Sequence, residues 1–363
     1  MECKMVNGSI LSAEDENQIG SFVRTVDKRL YEKYLQRKDT IGLIAGGGSD
    51  RRFFRIKTGG ESIIFMLSSP GDEEFQNYLF IAQFLRDTGT GVPVILDANR
   101  ENHFLFMEDV GDGSLYQKFR NGLPEEELEY WYKKVLQVLA HMQIEGGRNW
   151  AACPPLCERT FDYSALRWET EYFQQYFVER YLRLSITNDQ ELSQEFEALA
   201  RRVAEEPLQF MHRDFQSQNI MVHQGEIKIL DFQGARRGLL HYDAASLLKD
   251  AYVVLPARIL NALMSFYLEA LDEQGFKVTD VERFLESFAL AGLQRNMQAL
   301  GAFAYLSLVK GKTWFRQHIP AGVNHLTSAL RKRSDFPHLQ ALIERVSRRE
   351  FPVEGRTGKR DSP

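Results

Sequence analysis

Residues 211–219 read Met211-His212-Arg213-Asp214-Phe215-Gln216-Ser217-Gln218-Asn219, and residues 230–233 read Leu230-Asp231-Phe232-Gln233. Phosphoryl transfer asks a protein mainly to align an attacking hydroxyl and to neutralise charge on the phosphates. Asp214 is suited to orient such a hydroxyl and to accept its proton. Asn219 and Asp231 offer oxygen ligands of the kind that Mg²⁺ prefers. The spacing favours a phosphotransferase; the alternative is that these side chains are surface groups that cap turns.

The residues upstream of this motif follow a pattern of short strands. Helical periodicity predicts one helix over 12–37 and another over 73–87, with Asp72 as the N-cap of the second. Apolar runs bounded by Gly and Pro predict five strands, at 41–45, 52–57, 62–67, 92–96 and 103–107. Together these elements predict a small five-stranded α+β lobe over residues 1–110.

Beyond residue 111 the pattern is mainly helical. Its periodicity predicts long helices at 125–143, 163–184, 188–204, 257–273, 280–310 and 338–349. A short β patch interrupts them at 210–212, 220–222 and 227–230, and a tight turn joins its last two strands. We therefore predict an α+β, bilobal fold with a larger helical lobe over 111–350 and a disordered tail over 351–363.

A glycine-rich turn lies between the first two predicted strands. It reads Gly46-Gly47-Gly48-Ser49, and glycines let backbone N–H groups approach phosphate oxygens closely. We expect this turn to cover the phosphates of a nucleotide. The chain has no Gly-x4-Gly-Lys-Ser/Thr motif, which excludes a P-loop NTPase.

The composition is that of an ordinary globular protein, with 363 residues, 44% hydrophobic, 26% charged and a net charge of −5. The apolar stretches are too short or too broken to cross a membrane, and the first residues do not resemble a secretory signal. The three cysteines cannot form a disulfide framework, and ordinary thiols are favoured over a zinc site. We expect a cytoplasmic protein that binds neither membrane nor nucleic acid, because the mild acidic excess disfavours the latter.

These motifs resemble those of the aminoglycoside phosphotransferase and choline kinase superfamily, which has a protein-kinase-like fold. More narrowly, the chain resembles the bacterial anomeric sugar kinases that phosphorylate N-acetylmuramate and N-acetylglucosamine at O1 in cell-wall recycling. The narrower resemblance rests on Gly48-Ser49-Asp50-Arg51-Arg52-Phe53-Phe54-Arg55, Tyr242-Asp243-Ala244-Ala245-Ser246-Leu247-Leu248-Lys249-Asp250, Gly292-Leu293-Gln294-Arg295-Asn296, and Leu300-Gly301-Ala302-Phe303 with Gly311-Lys312.

The resemblance implies a phosphoryl donor, a metal and the residues that serve them. The donor would be ATP or another purine triphosphate, and the metal would be Mg²⁺. Asp214 would be the catalytic base, and Asn219 and Asp231 would be the metal ligands. The hinge from Glu108 to Val110 would contact adenine through backbone groups.

The resemblance also implies supporting roles and one absence. Asp243 would brace the catalytic loop from below, and His212 would be a packing and hydrogen-bonding anchor rather than an acid or base. Gln233, not Gly, follows Asp231-Phe232, and no Ala-Pro-Glu occurs after it. We therefore expect no phosphorylated activation loop.

One departure concerns the lysine that kinase-like folds carry on the third strand, where it pairs with a helix glutamate. The run from Ile63 to Leu67 contains no lysine. The positive charge would then come from Arg51, Arg52 or Arg55. Glu73 or Glu74 would be the helix glutamate without its usual partner, and a solvated helix N-terminus is the favoured interpretation of both. A nucleotide-binding scaffold without catalysis is the alternative that this absence suggests, although the intact acidic motif argues against it.

The acceptor pocket of this family lies against the C-terminal helices. Residues 251–350 hold 13 Lys or Arg against 9 Asp or Glu, which favours a neutral or anionic acceptor over a polycationic aminoglycoside. Arg295 is the candidate clamp for the carboxylate of N-acetylmuramate, and a salt bridge to another helix is the alternative. Gln216 and Glu169 are further acceptor-binding candidates, although a solvated helix face is the favoured interpretation for Glu169 and Arg167.

The sequence thus predicts an ATP- and Mg²⁺-dependent kinase of a small-molecule acceptor, with an amino-sugar hydroxyl favoured. A kinase of another hydroxylated metabolite and a true aminoglycoside phosphotransferase remain as alternatives.

Overall fold

The computed structural model of the protein describes residues 9–10, 13–44, 51–186, 189–331, 333–349 and 351. Two compact units make up this part of the chain. The first comprises the described residues up to Gly113 together with Met221–Gly234, and the second comprises the rest. The lobe boundary predicted from the sequence, after residue 110, instead assigns residues 221–234 to the second lobe. The glycine-rich turn Gly46-Gly47-Gly48-Ser49 and residues 352–363 of the predicted tail lie outside the described residues.

The first unit is built on an antiparallel sheet with the strand order β1-β2-β3-β4-β6-β5. In chain order its elements are β1 (Ser9–Ile10), α1 (Ala13–Val26), α2 (Lys28–Tyr34), β2 (Thr40–Ile44), β3 (Arg52–Thr58), β4 (Glu61–Leu67), α3 (Glu74–Asp87), β5 (Ile95–Asn99) and β6 (Phe104–Glu108). The five predicted strands are β2 to β6, and β1 extends the sheet at the free edge of β2. β5 begins three residues later than predicted, because Val94 and Gly91 instead accept N–H groups from Glu108 and Ile229.

The two faces of the sheet have different roles because side chains alternate along each strand. Phe54 and Ile56 of β3 point into an apolar core shared with α1 and α2, whereas Arg55 lies on the opposite face. The single helix predicted over 12–37 is in fact two helices. Asp27 interrupts it, since its side chain accepts the N–H of Leu30 at 3.1 Å and caps α2.

The remaining elements are mostly helical. They are α4 (Leu115–Arg120), α5 (Glu125–Asn149), α6 (Pro154–Glu158), α7 (Tyr163–Tyr172), α8 (Gln190–Ala204), β7 (Leu208–Met211), β8 (Ile220–His223), β9 (Glu226–Ile229), β10 (Arg236–Leu239), α9 (Leu240–Leu248), α10 (Ala257–Glu273), α11 (Val281–Leu308), α12 (Ile319–Leu330) and α13 (Pro337–Ser347). The predicted helix over 163–184 is α7 followed by a π-helical segment, Phe173–Tyr181. No helix in the described ranges is both long enough and apolar enough to span a membrane.

The described residues also form two small sheets of two strands each. β8 and β9 form the predicted hairpin, whereas β7 pairs antiparallel with β10, a strand that the sequence did not predict. β7 also packs against α5, where Gly146 faces Phe210. A Cβ on Gly146 would come within 2.8 Å of the Phe210 side chain, so only glycine allows this close approach.

We expect a Gly146→Ala substitution to lower the free energy of unfolding by up to about 2 kcal/mol. The clash with Phe210 costs about 1–3 kcal/mol, which exceeds the gain of about 1 kcal/mol from replacing a helical glycine. Gly20→Ala in α1 is the matched control, because its nearest neighbour would be Tyr31 at an ordinary 3.6 Å. Denaturant unfolding should show the control unchanged or stabilised. Equal shifts in both variants would contradict the packing argument.

Candidate active site

The chain leaves β7 through a loop whose backbone is strained. In this Asp214 loop, residues 212–219, Arg213 has φ +79°, in the left-handed region that long side chains rarely adopt. The carboxylate of Asp243 on α9 accepts the N–H of His212 at 2.7 Å and the N–H of Arg213 at 2.8 Å. These two bonds hold the turn in place, and Asp214 follows it directly.

Asp243 and His212 both lie in the core beneath the loop. Each is fully buried, and the His212 ring meets Phe215 edge-on at 5.7 Å. Burial raises the pKa of Asp243 to about 7, against the effect of the two N–H donors. The loop is therefore attached to α9 through a carboxylate that has no access to solvent.

A second buried carboxylate holds the far side of the loop. Asp250 accepts the N–H of Ser217 at 2.9 Å and its hydroxyl at 2.6 Å, while the N–H of Tyr252 donates to its other oxygen at 2.9 Å. The sequence analysis gave Asp250 no role. The available signal was its place at the end of the Tyr242–Asp250 stretch, on the same segment as Asp243.

Asn219 closes the loop back onto Asp214. Its Nδ2 donates to the backbone carbonyl of Asp214 at 2.9 Å, and its N–H donates to the carbonyl of Gln216 at 2.9 Å. Since Nδ2 is the donor in this arrangement, Oδ1 is the atom of the amide that suits a cation.

The carboxylate of Asp214 faces a buried arginine. Nη2 of Arg295 lies 3.4 Å from Asp214 Oδ1 and 3.1 Å from Gln216 Oε1. The Asp214 side chain is 35% exposed, whereas the Arg295 side chain is 8% exposed. Burial would raise the pKa of Asp214, but the charges of Arg295 and Arg213 outweigh it and lower that pKa overall. The structure thus brings together three predicted residues, Asp214, Gln216 and Arg295.

Glu169 lies in a buried network of polar side chains. Its carboxylate accepts the Tyr242 hydroxyl at 2.9 Å and the Gln294 amide at 3.2 Å, and it lies 3.9 Å from Arg213. The side chain is fully buried, and burial raises its pKa. The solvated helix face considered for Glu169 is therefore wrong. Arg167 turns instead to side chains of its own helix.

In the first unit, Arg51 meets the start of α3. Its Nε and Nη2 donate to the two oxygens of Asp72 at 2.8 and 3.2 Å, and Nη2 lies 3.5 Å from Glu74. Asp72 also accepts the hydroxyl of Ser68 and the N–H of Glu74. Glu74, which the sequence left without a cationic partner, thus has one in Arg51.

Asp231 belongs to the same unit and follows β9. It is exposed with φ +62°, and its Oδ1 accepts the Gln233 amide at 2.8 Å. The next ring, Phe232, packs against Tyr78 of α3 at 4.7 Å. Burial raises the pKa of Tyr78, the charge of Arg51 opposes that rise, and the charge of Asp231 adds to it. The charges of Arg51 and Asp231 thus act in opposite directions on the pKa of the same buried hydroxyl.

The other two arginines of this stretch point elsewhere. Arg55 forms paired bonds to Asp109 at 2.6 and 2.9 Å and to Asp112 at 2.9 Å. Arg52 is exposed, with its guanidinium 5.8 Å from the Phe54 ring centre. Neither has the position of Arg51 beside α3.

The predicted hinge lies at the end of β6. The N–H of Glu108 donates to the carbonyl of Val94 at 2.8 Å. Its carboxylate accepts the N–H of Val94 at 3.0 Å and pairs with Lys228 at 3.1 Å. Val110 is buried. These bonds tie the start of the hinge to the segment before β5 and to β9.

The donor chemistry fits Mg²⁺. Among the described residues, no group of three or more His, Cys, Asp or Glu side chains could hold a metal ion. Mg²⁺ commonly uses only one or two protein oxygen ligands and completes its shell with water and substrate phosphates. Asn219 and Asp231 offer oxygen donors of that kind.

Comparison with known proteins connects this arrangement to a family. A model of the phosphotransferase enzyme family matches residues 40–278. The N-acetylmuramate/N-acetylglucosamine kinase of Pseudomonas aeruginosa is 27% identical over 298 residues, which cover 81% of this chain and 85% of that protein.

Two solved structures share the fold. The choline kinase LicA from Streptococcus pneumoniae aligns with a TM-score of 0.58 and 14% identity, over 88% of this chain and 98% of that one. A GDP complex of an aminoglycoside 2′-phosphotransferase aligns with a TM-score of 0.58 and 14% identity, over 89% and 99%. The predicted α+β, protein-kinase-like fold is confirmed. Because the family model covers more than half of the chain, the protein belongs to the phosphotransferase enzyme family and is a small-molecule kinase.

Proposed function

We propose that the protein transfers the γ-phosphoryl group of ATP to O1 of N-acetylmuramate or N-acetylglucosamine, as a cytoplasmic step of cell-wall recycling. The observation that carries this proposal is the placement of Asp214 on a loop held by the buried carboxylates of Asp243 and Asp250. A base that must align a hydroxyl within a few tenths of an ångström needs such support. The Pseudomonas relative, named for these two sugars, supports the choice of acceptor.

In this proposal Asp214 orients the acceptor hydroxyl and takes its proton as the new O–P bond forms. The bond from the γ-phosphorus to the bridging oxygen breaks, and ADP leaves. Asn219 and Asp231 would hold Mg²⁺, and the chemistry that the ion would supply is the neutralisation of charge on the phosphates.

The first unit would hold the nucleotide. Backbone groups between Glu108 and Val110 would contact the purine, and Gly46-Gly47-Gly48-Ser49 would cover the phosphates. We assign the phosphate-side cation to Arg51, because it pairs with Glu74 at the start of α3, as the third-strand lysine of kinase-like folds pairs with a helix glutamate, whereas Arg55 pairs with Asp109 and Asp112.

The charge distribution supports a sugar acceptor. Residues 251–350 carry a net positive charge, which disfavours a polycationic aminoglycoside and suits a neutral or anionic molecule. N-acetylglucosamine is neutral and N-acetylmuramate carries one carboxylate, so both fit this criterion.

The wild-type protein should produce ADP and sugar 1-phosphate from Mg-ATP and either sugar. Asp214→Asn should lower kcat by about 10²- to 10⁴-fold, because the amide cannot accept the proton. Coupled detection of ADP measures the rate of each protein, and phosphorus NMR identifies the sugar 1-phosphate. Asp272→Asn, an exposed position on α10, is the matched control and should keep wild-type activity.

Full activity of Asp214→Asn would contradict the mechanism, whichever acceptor is used. Absence of turnover with both sugars would overturn the acceptor, and choline and kanamycin in the same panel would show whether the alternatives hold.

Arg51→Gln should raise the KM for ATP by about 10- to 100-fold, as expected for a lost charge-assisted contact. Arg51→Lys should recover part of this, because it keeps the charge but not the two-pronged bond to Asp72. Initial rates at varied ATP and saturating acceptor measure the effect, and thermal unfolding checks that each variant is folded. The assignment is wrong if Arg55→Gln or Arg52→Gln, rather than Arg51→Gln, raises the KM for ATP.

A further inference from the structure

No Lys or Arg lies between Asp214 and Asn219, and Arg213, the residue before Asp214, lies 3.9 Å from the buried carboxylate of Glu169. The six residues from Asp214 to Asn219 read Asp-Phe-Gln-Ser-Gln-Asn. A carboxylate that works beside transferring phosphates needs positive charge near it, because two anionic groups otherwise repel one another. Arg295, far along the chain on α11, brings a guanidinium to Asp214 and Gln216.

This guanidinium is held from behind by one side chain of α9 and one of its own helix, α11. Nε of Arg295 donates to Ser246 Oγ on α9 at 2.8 Å, and Nη1 donates to Gln298 Oε1. Ser246 in turn donates to the carbonyl of Tyr242 at 3.0 Å. Arg295 and Ser246 are both buried, so few alternative rotamers are open to the arginine.

The hydrogen-bond inventory limits what else Arg295 can bind. A guanidinium carries five N–H donors. Ser246, Gln298, Gln216 and Asp214 take one each, which leaves one N–H on Nη1. A two-pronged grip on a substrate carboxylate needs two parallel donors. Arg295 would have to give up a bond to provide them.

We propose that Arg295 is a positioning residue, which holds the carboxylate of Asp214 and the side chain of Gln216 in the arrangement that receives the acceptor hydroxyl. This inference rests on the proposed role of Asp214 as the base. It predicts that Arg295 acts on every acceptor alike. The clamp expected from the sequence predicts an effect on N-acetylmuramate alone.

The first test compares steady-state kinetics with the two sugars. Arg295→Gln should lower kcat by about 10- to 100-fold with both sugars and leave the KM for ATP unchanged. Arg295→Lys should recover little, because one ammonium cannot reach Ser246, Gln298 and Asp214 together. Arg283→Gln, on the same helix with its side chain 67% exposed, is the matched control and should behave as wild type.

Ser246→Ala gives an independent variant if Arg295→Gln fails to fold. It removes the acceptor behind Arg295 without touching Asp214, and it should lower kcat by about threefold or more with both sugars. An unchanged kcat in Ser246→Ala would overturn the proposal. So would a loss in Arg295→Gln that takes the form of a raised KM for N-acetylmuramate only.

A double-mutant cycle tests whether Arg295 acts through Asp214. In the Asp214→Asn background, Arg295→Gln should lower kcat by less than about threefold, because the group that Arg295 positions has already been changed. A loss as large as in the wild-type background would show that Arg295 acts independently and would overturn the inference.

A crystal structure of Arg295→Gln separates this inference from the proposed function, because it needs no acceptor. We expect the Asp214 and Gln216 side chains to leave their wild-type rotamers. Unchanged rotamers would overturn the positioning role even if the sugars are confirmed. If the rotamers are displaced but the wild-type protein phosphorylates neither sugar, the proposed acceptor is wrong and the positioning role is still supported.

Discussion

The carboxylate of Asp243 accepts hydrogen bonds from the backbone N–H groups of both His212 and Arg213, and the position of the Asp214 loop depends on these two bonds. Burying a carboxylate is costly unless donors compensate it. The left-handed backbone at Arg213 adds a strain of about 1–3 kcal/mol. Hydrogen bonds to a charged group, at about 1.5–3 kcal/mol each, offset costs of this size. At Arg213 the hydrogen bonds to Asp243 offset the costs of burial and backbone strain, and this keeps the next residue, Asp214, in its position.

Helix α9 makes that balance possible on both sides of the loop. It is buried along its whole length, carries Asp243 in its first turn, and leads directly to Asp250 beyond its last turn. Helix α9 and the two residues after it therefore supply the carboxylates that hold the Asp214 loop at His212, Arg213 and Ser217. Ser246, between these two carboxylates in the chain, holds Arg295. A shift of α9 would move all three supports together, so the loop depends on how α9 packs within its unit.

The sequence predicted the parts of this arrangement that are local. Alternating and helical periodicity located five strands and most helices, and the motif spacing selected Asp214, Asn219 and Asp231 as candidate site residues. It missed β10, because Arg236 and Arg237 interrupt any apolar alternation there. It also missed the contacts of Arg295 with the Asp214 loop, since they join residues far apart in the chain and only the packing of α11 brings them together. Periodicity predicts which face of a helix is buried. It does not predict which polar groups of other elements contact that face.

The low pKa of Asp214 bears on how such a base would work. A carboxylate stabilised by Arg295 and Arg213 has little affinity for a proton in the ground state. Phosphoryl transfer passes through a loose transition state, in which the attacking hydroxyl keeps its proton until late. Early in the reaction the base therefore has to align the hydroxyl rather than remove its proton. A rigidly held, ionised carboxylate suits that task better than a strong base on a mobile loop. The buried arginine that lowers the proton affinity of Asp214 and the buried aspartates that fix its backbone thus serve the same end.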